Sequence, residues 1–285
     1  MIAAKPRPTA ATGPAGHPVL SALPSRPYPA VMGVLNVTPD SFSDGGQFAA
    51  PERALAQARR MVAEGADIID IGAESTRPYG SEPISAEEEL KRLQPVLPEI
   101  VALGIPVSID SMKSAVVAWA LHQGAAVAND VWGLQRDSGM AGLVAERGAP
   151  IIIMHNRESA DPAVDIMQDI SNFFAASLDI AARAGISSDK IILDPGIGFG
   201  KTPEQSMTAL ARLGELQSFG LPLLVGASRK RFISTVTPSE PHQRLGGSIA
   251  AHLLAAQNGA RIIRAHDVAE TVQALRVTAA IREQG

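Results

Sequence analysis

The sequence predicts an α/β protein, a TIM (β/α)8 barrel in a single domain, and three observations predict it. After residue 28, short β-rich runs recur roughly every 20–40 residues with helical patterns between them, the rhythm that barrel requires. The runs are continuously apolar rather than alternating, as strands covered on both faces are. Eight units can be counted along the 285 residues, and no shift in composition divides them, which favours a barrel over an open doubly wound sheet.

Residues 1–28 are rich in Ala and Pro and carry Lys5, Arg7 and Arg26. They lack the apolar stretch of ~7–15 residues that a secretory signal needs, so they read as a disordered, dispensable tail ahead of a barrel domain over 29–285. Strands are expected at 31–37, 67–72, 106–110, 126–130, 150–155, 190–195, 221–227 and 260–266. Pro51 stands where a first helical residue belongs, and Leu55, Ala58 and Val62 then share one face. Ser85-Ala-Glu-Glu88 reads as a capping box before Leu90; Thr202-Pro203-Glu204-Gln205 reads as another, with proline at the first helical position. The longest break, 156–168 after the fifth strand, is a candidate mobile loop.

Composition excludes several classes. A formal net charge of −4 gives no basic footprint for nucleic acid. The absence of cysteine excludes disulfide scaffolds and thiolate metal sites and fits a reducing compartment. No apolar run approaches the ~18–20 residues of a membrane span. The expectation is a soluble, cytoplasmic protein that works without membrane or nucleic acid.

The strands finish in Asn36, Gly72-Ala-Glu74, Asp110, Asn129-Asp130, His155, Asp194, Ser228 and Arg264-Ala-His266. Barrel enzymes build their sites at that rim, and a carboxylate, amide or cation stands at nearly every position of it. Asp110, Asn129, Asp194 and Lys230 offer acceptors and donors for a planar heterocycle. Thr76-Arg77, Ser228-Arg229-Lys230-Arg231, Arg264 and His266 gather cations near helix starts, as an anion site does. Asp194-Pro-Gly-Ile-Gly-Phe-Gly-Lys-Thr202 lacks the first glycine of a phosphate-binding loop. Its glycines let backbone approach a flat ligand, with Phe199 offering a ring face. Lys201 reads as a surface residue of that loop, His155 as structural rather than catalytic, and Trp119 and Trp132 as core or interface residues. The six histidines form no close pair, and Gly226-Ala-Ser228 lacks the last glycine of a nucleophile elbow.

From Val31 to about Val277 the chain resembles dihydropteroate synthase. The resemblance rests on Asn36-Val-Thr-Pro-Asp-Ser-Phe-Ser-Asp44, Glu74-Ser-Thr-Arg-Pro78, Ser108-Ile-Asp110, Asn129-Asp130, Asp194-Pro-Gly196, Ser228-Arg-Lys230 and Arg264-Ala-His-Asp-Val268. It implies a pterin-binding catalytic barrel, a transferase of folate synthesis. The enzyme would condense 6-hydroxymethyl-7,8-dihydropterin diphosphate with 4-aminobenzoate, releasing diphosphate. By this resemblance Asp110, Asn129, Asp194 and Lys230 hold the pterin. Asn36, Arg264 and His266 hold the diphosphate, with Mg²⁺ on Asn36, and Asp110, Lys230 and Arg264 carry the catalysis. Thr76, Arg77, Pro78, Phe199 and Ser228 shape the aminobenzoate pocket, where sulfonamides compete. The loops at 37–48 and 73–82 are expected to close over the reactants, and a homodimer is expected. The chain departs from the common pattern at Tyr79, which lengthens the loop after Arg77-Pro78, and at Arg231, which stands where a serine often follows Ser-Arg-Lys. Two rivals share the pterin carboxylates. A corrinoid-dependent methyltransferase domain has no reason to keep the anion-binding cations, and a non-catalytic pterin-binding paralogue would be marked by their loss.

Overall fold

The computed structural model describes residue 21 and residues 26–38, 46–74 and 83–284. Eight parallel strands close on themselves in sequence order. They are β1 (Ala30–Asn36), β2 (Ile68–Gly72), β3 (Val107–Asp110), β4 (Val127–Asp130), β5 (Ile151–Met154), β6 (Ile191–Asp194), β7 (Leu223–Val225) and β8 (Ala260–Ala265). All the expected strands are present; β5 and β6 are one residue shorter at each end and β7 two. The helices are α1 (Gly46–Glu64), α2 (Ala86–Leu93), α3 (Leu97–Val101), α4 (Ser114–His122), α5 (Met140–Arg147), α6 (Ile166–Ala184), α7 (Pro203–Ala211), α8 (Arg231–Val236), α9 (Leu245–Gln257) and α10 (Val268–Arg282). Closure is made by β8 pairing in parallel with β1, Ile262 beside Ala30 and Arg264 beside Met32.

The two-residue period of each strand sorts its side chains into two cores. Val31, Leu35, Ile69, Ile71, Val107, Ile109, Ile151, Ile153 and Ile263 point outward and join the helices in the main core. Met32, Ile68, Val127, Ile152, Ile192, Leu224 and Ile262 form a separate apolar plug inside the barrel. Two residues further along four of those strands, the same inward face carries Asp70, Asn129, Asp194 and Arg264. The barrel is thus apolar at one level of its lumen and ionic at the next, on the side where the strands end.

The caps explain where helices begin. Thr202 and Gln205 exchange both bonds of a capping box, with Pro203 opening α7. Ser85 Oγ accepts the Glu88 N–H at the start of α2. Three expectations are corrected. Pro51 lies inside α1, which starts at Gly46. It stands in the second turn, where its missing N–H removes a single intrahelical bond, and the helix runs through. The 156–168 break is fastened rather than loose. Asp165 caps α6 through the Met167 and Gln168 N–H groups, and Gln205 Nε2 donates to the carbonyls of Asp161 and Val164. Arg26 and Tyr28, assigned to the tail by the sequence, join the barrel: Arg26 forms a fork to both oxygens of Asp67 at 3.0 Å, and Tyr28 packs on the core. Residues 1–20 and 22–25 lie outside the described residues.

Candidate active site

Burial and pairing at the mouth of the barrel converge on Arg264. Its Nε donates to Asp70 Oδ2 at 2.6 Å and its Nη2 to Asp110 Oδ2 at 2.8 Å. Burial disfavours its charge, but the two carboxylates more than offset this and hold the guanidinium above the usual arginine range. Asn129 Nδ2 lies 3.3 Å from both oxygens of Asp70, which leaves its carbonyl oxygen to accept from elsewhere. Asp110 Oδ1 is buried with no hydrogen-bond partner among the described residues. Burial pushes the Asp110 carboxyl up to about 7 against the pull of Arg264, with Asp70 adding to the rise. Burial likewise pushes Asp194 up to about 6, while its Oδ1 accepts the Gly196 N–H at 2.7 Å. A buried acceptor without a donor is costly, so Asp110 Oδ1 is suited to a donor supplied by a ligand.

Where β7 and β8 end, Ser228 Oγ accepts the His266 N–H at 3.2 Å and lies 3.0 Å from His266 Nδ1. Burial, with Arg264 and Arg229 nearby, pulls His266 down to about 3, so its ring is neutral. Ser228 engages Nδ1, so Nε2 is the ring nitrogen left to meet a ligand. Ser228, expected beside aminobenzoate, is engaged with His266, expected at the diphosphate. Arg229 forms a fork with Asp267 and so serves the turn between β7 and α8 rather than a ligand. Lys230 Nζ stands 4.0 Å from the centre of the Phe199 ring. Phe199 packs with Val131 and Met154, with Met112 and Trp132 against them. Trp132 carries Arg136 over its ring at 4.6 Å, and Trp119 packs against the main core.

Asn36 ends β1 opposite Gly72. A carboxamide oxygen is a hard donor, and Mg²⁺ commonly takes one or two protein oxygens and fills its other positions with phosphate oxygens and water. Asn36 fits that mode; among the described residues no group of three or more His, Cys, Asp or Glu forms a cage of its own. Thr76, Arg77, Pro78 and Tyr79 lie outside the described residues, as do residues 39–45 of the first loop. Arg231 opens α8 and is exposed.

Two residues are corrected or added. Lys201 is not a surface residue: it is 6% exposed. Asp70, fully buried, was not singled out by the sequence because it interrupts the apolar run Ile68-Ile-Asp-Ile without ending it. Reading that strand by its two-residue period, inward at 68, 70 and 72, would have exposed it.

The chain matches the family described as pterin binding enzyme over residues 32–266. It is 42% identical over 270 residues to dihydropteroate synthase of Bacillus subtilis, covering 94% of each chain. The crystal structure of a dihydropteroate synthase from Clostridium difficile, obtained in the presence of pteroic acid, superposes with a TM-score of 0.86 at 46% identity, covering 89% of this chain and 97% of the other. The Xanthomonas albilineans dihydropteroate synthase with 4-aminobenzoic acid also gives 0.86, at 44% identity over 90% and 93% of the two chains. The barrel, the ionic layer at its mouth and these relatives agree: the chain belongs to the dihydropteroate synthases, transferases within the pterin binding enzyme family.

Proposed function

We propose that this chain condenses 6-hydroxymethyl-7,8-dihydropterin diphosphate with 4-aminobenzoate, giving 7,8-dihydropteroate and diphosphate. The observation that carries the reading is the convergence of Asp110, Asn129, Asp194 and Arg264 on one opening, with Asp110 Oδ1 buried and awaiting a donor. A pterin offers a ring N–H beside an exocyclic amine, a donor pair that one carboxylate accepts in two parallel bonds. The Asn129 carbonyl oxygen accepts from the same ring, and Lys230 donates to its acceptor atoms. Arg264 lies beneath the ring, and His266 Nε2 and Asn36 receive the diphosphate.

The division of labour follows from the chemistry. An arylamine is neutral at pH 7, so its attack needs no strong base, and no side chain has to form a covalent intermediate. The difficult event is separation of diphosphate from the pterin methylene. Arg264, Lys230 and His266 stabilise the departing negative charge, and ionised Asp110 stabilises the positive charge that develops on the pterin. Mg²⁺, held by Asn36, supplies further neutralisation of the diphosphate when bound. Phe199 offers the arylamine a ring face, and the resemblance adds Thr76, Arg77, Pro78 and Ser228 to that pocket, where sulfonamides compete.

The working form is a homodimer in the cytoplasm. Leu254 of α9 and Val277 and Ile281 of α10 are large apolar side chains left 40%, 53% and 66% exposed on helices that pack together, a surface suited to a second copy. The cysteine-free composition fits a reducing compartment, and among the described residues no helix is long and apolar enough to cross a membrane. The test is diphosphate release from the dihydropterin diphosphate with Mg²⁺, with and without 4-aminobenzoate. The reading expects release that depends on aminobenzoate, with dihydropteroate detected by mass spectrometry. Tight pterin binding without product would instead mark a non-catalytic binding protein.

A further inference from the structure

The loop between β6 and α7, residues 195–202, is wound around a buried ammonium. Lys201 Nζ stands 2.6 Å from His155 Nδ1, 2.9 Å from the Gly196 carbonyl oxygen and 3.1 Å from the Phe199 carbonyl oxygen. Its charge is therefore met by three acceptors, two from its own loop and one from the end of β5. His155 Nε2 in turn lies 3.0 Å from Asp169 Oδ2 on α6. Burial holds His155 far below its ordinary range, so the ring is neutral. Only one tautomer serves both contacts: Nε2–H donates to Asp169, and Nδ1 accepts from Lys201. An ammonium has three hydrogens for these three acceptors, whereas a neutral amine would leave one unmet. The same geometry argues against Lys201 as a nucleophile, since no lone pair is exposed.

The loop also presses closely onto the segment after β5. Gly196 is left-handed (φ +65°), and a Cβ there would stand 1.9 Å from the His155 carbonyl oxygen. Gly200 is also left-handed (φ +54°), and its Cβ would stand 2.4 Å from Arg157 Cβ. Glycine is therefore required where the loop presses onto the segment after β5. Between these two contacts the loop presents Phe199, whose ring faces Lys230 and whose carbonyl is held by Lys201.

We propose that Lys201 is a positioning residue whose caged ammonium, backed by His155 and Asp169, locks the β6–α7 loop into the wall that sets Phe199 and Lys230 against the bound substrates. The proposal rests on the synthase reading for the substrates but not for the lock itself. Burial lowers the Lys201 pKa to about 7, while the Asp194 and Asp169 carboxylates pull it upward.

Three variants of the full chain test it: Lys201→Met, His155→Leu and His155→Asn, the last keeping an acceptor oxygen where Nδ1 stands. Amide hydrogen exchange over 196–200, steady-state kinetics and urea unfolding are read for each. Lys201→Met and His155→Leu are expected to speed exchange in the loop at least tenfold. They should raise KM for 4-aminobenzoate at least tenfold and leave kcat within about threefold. His155→Asn, which keeps the acceptor for Lys201 but loses the bond to Asp169, should fall between the parent and His155→Leu on every readout. Should Lys201→Met fail to fold, the contrast between the two His155 variants decides. Unchanged exchange and KM in His155→Leu and Lys201→Met overturns the proposal, as does an equal loss in both His155 variants. If the parent chain binds substrates but makes no dihydropteroate, the synthase reading fails while loop exchange still decides the lock.

Discussion

The two levels of the barrel lumen share the same strands and do opposite work. At the lower level, Ile152, Ile192, Leu224 and Ile262 fill the interior with apolar atoms, and their burial favours the fold at roughly 25 cal/mol per Å². At the upper level, roughly 6.6 Å further along the strands, Asp70, Asn129, Asp194 and Arg264 stand with Asp110. Removing charges from water costs several kcal/mol per ion, and well-packed apolar residues often serve stability as well as a buried ion pair or better. The upper layer is therefore kept for a ligand, and the lower layer supports it. One alternation of side chains supplies both a plug and a site.

Arg264→Ala should have the largest effect on both levels. It leaves Asp70 and Asp110 buried without their cation, so urea unfolding should show a loss of about 3–5 kcal/mol. Catalytic efficiency should fall at least tenfold in the same variant. Ile152→Ala should cost a comparable amount, about 2–5 kcal/mol of stability, while kcat/KM of the folded fraction stays within about threefold. A parallel loss of activity there would break the division between the layers. Lys230→Ala should do the reverse, leaving the unfolding midpoint in place and lowering kcat/KM by at least tenfold, equivalent to about 1.5–3 kcal/mol.

The smallest effect is a displacement in pH. In the proposed function Asp110 accepts the pterin donors when ionised, so kcat/KM should fall with acid below about pH 7, and Asp194, pushed up to about 6, should steepen the fall. Asp70→Asn removes a negative neighbour of Asp110, so the limb should move to lower pH by about half a unit or more. The signs for stability are opposed. Asp110, raised in the fold, gives a contribution present below about pH 4 and lost as pH rises through about 7. His266, depressed to about 3, gives one present above about pH 6.5 and lost as pH falls toward 3. A pH series of kcat/KM and of urea midpoints for the parent and Asp70→Asn separates these.

Much of this site was legible because a barrel strand announces its end. Asn36, Asp110, Asn129, Asp194 and Arg264 each close or nearly close an apolar run, and the structure puts all five at the same end of the barrel. Asp70 was hidden because it lies inside such a run, where only the inward period betrays it. Lys201 was misjudged because composition says nothing about which way a glycine-rich loop folds, and its acceptors come partly from β5, 46 positions away. Pro51 misled for a local reason: proline suits a first helical position, but one missing bond in an early turn does not end a helix. Ser228 was assigned through its motif, and only the folded β8 shows its hydroxyl turned to His266.

The most direct test of the ionic layer as a ligand site is calorimetric titration of the parent, Asp110→Asn and Ile152→Ala with 6-hydroxymethyl-7,8-dihydropterin diphosphate, alongside urea unfolding. Asp110→Asn should weaken binding at least tenfold and unfold no more easily than the parent, because it relieves a buried carboxylate. Ile152→Ala should bind as the parent does and unfold earlier. Unchanged affinity in Asp110→Asn, or weakened binding in Ile152→Ala equal to it, would contradict the separation of plug from site.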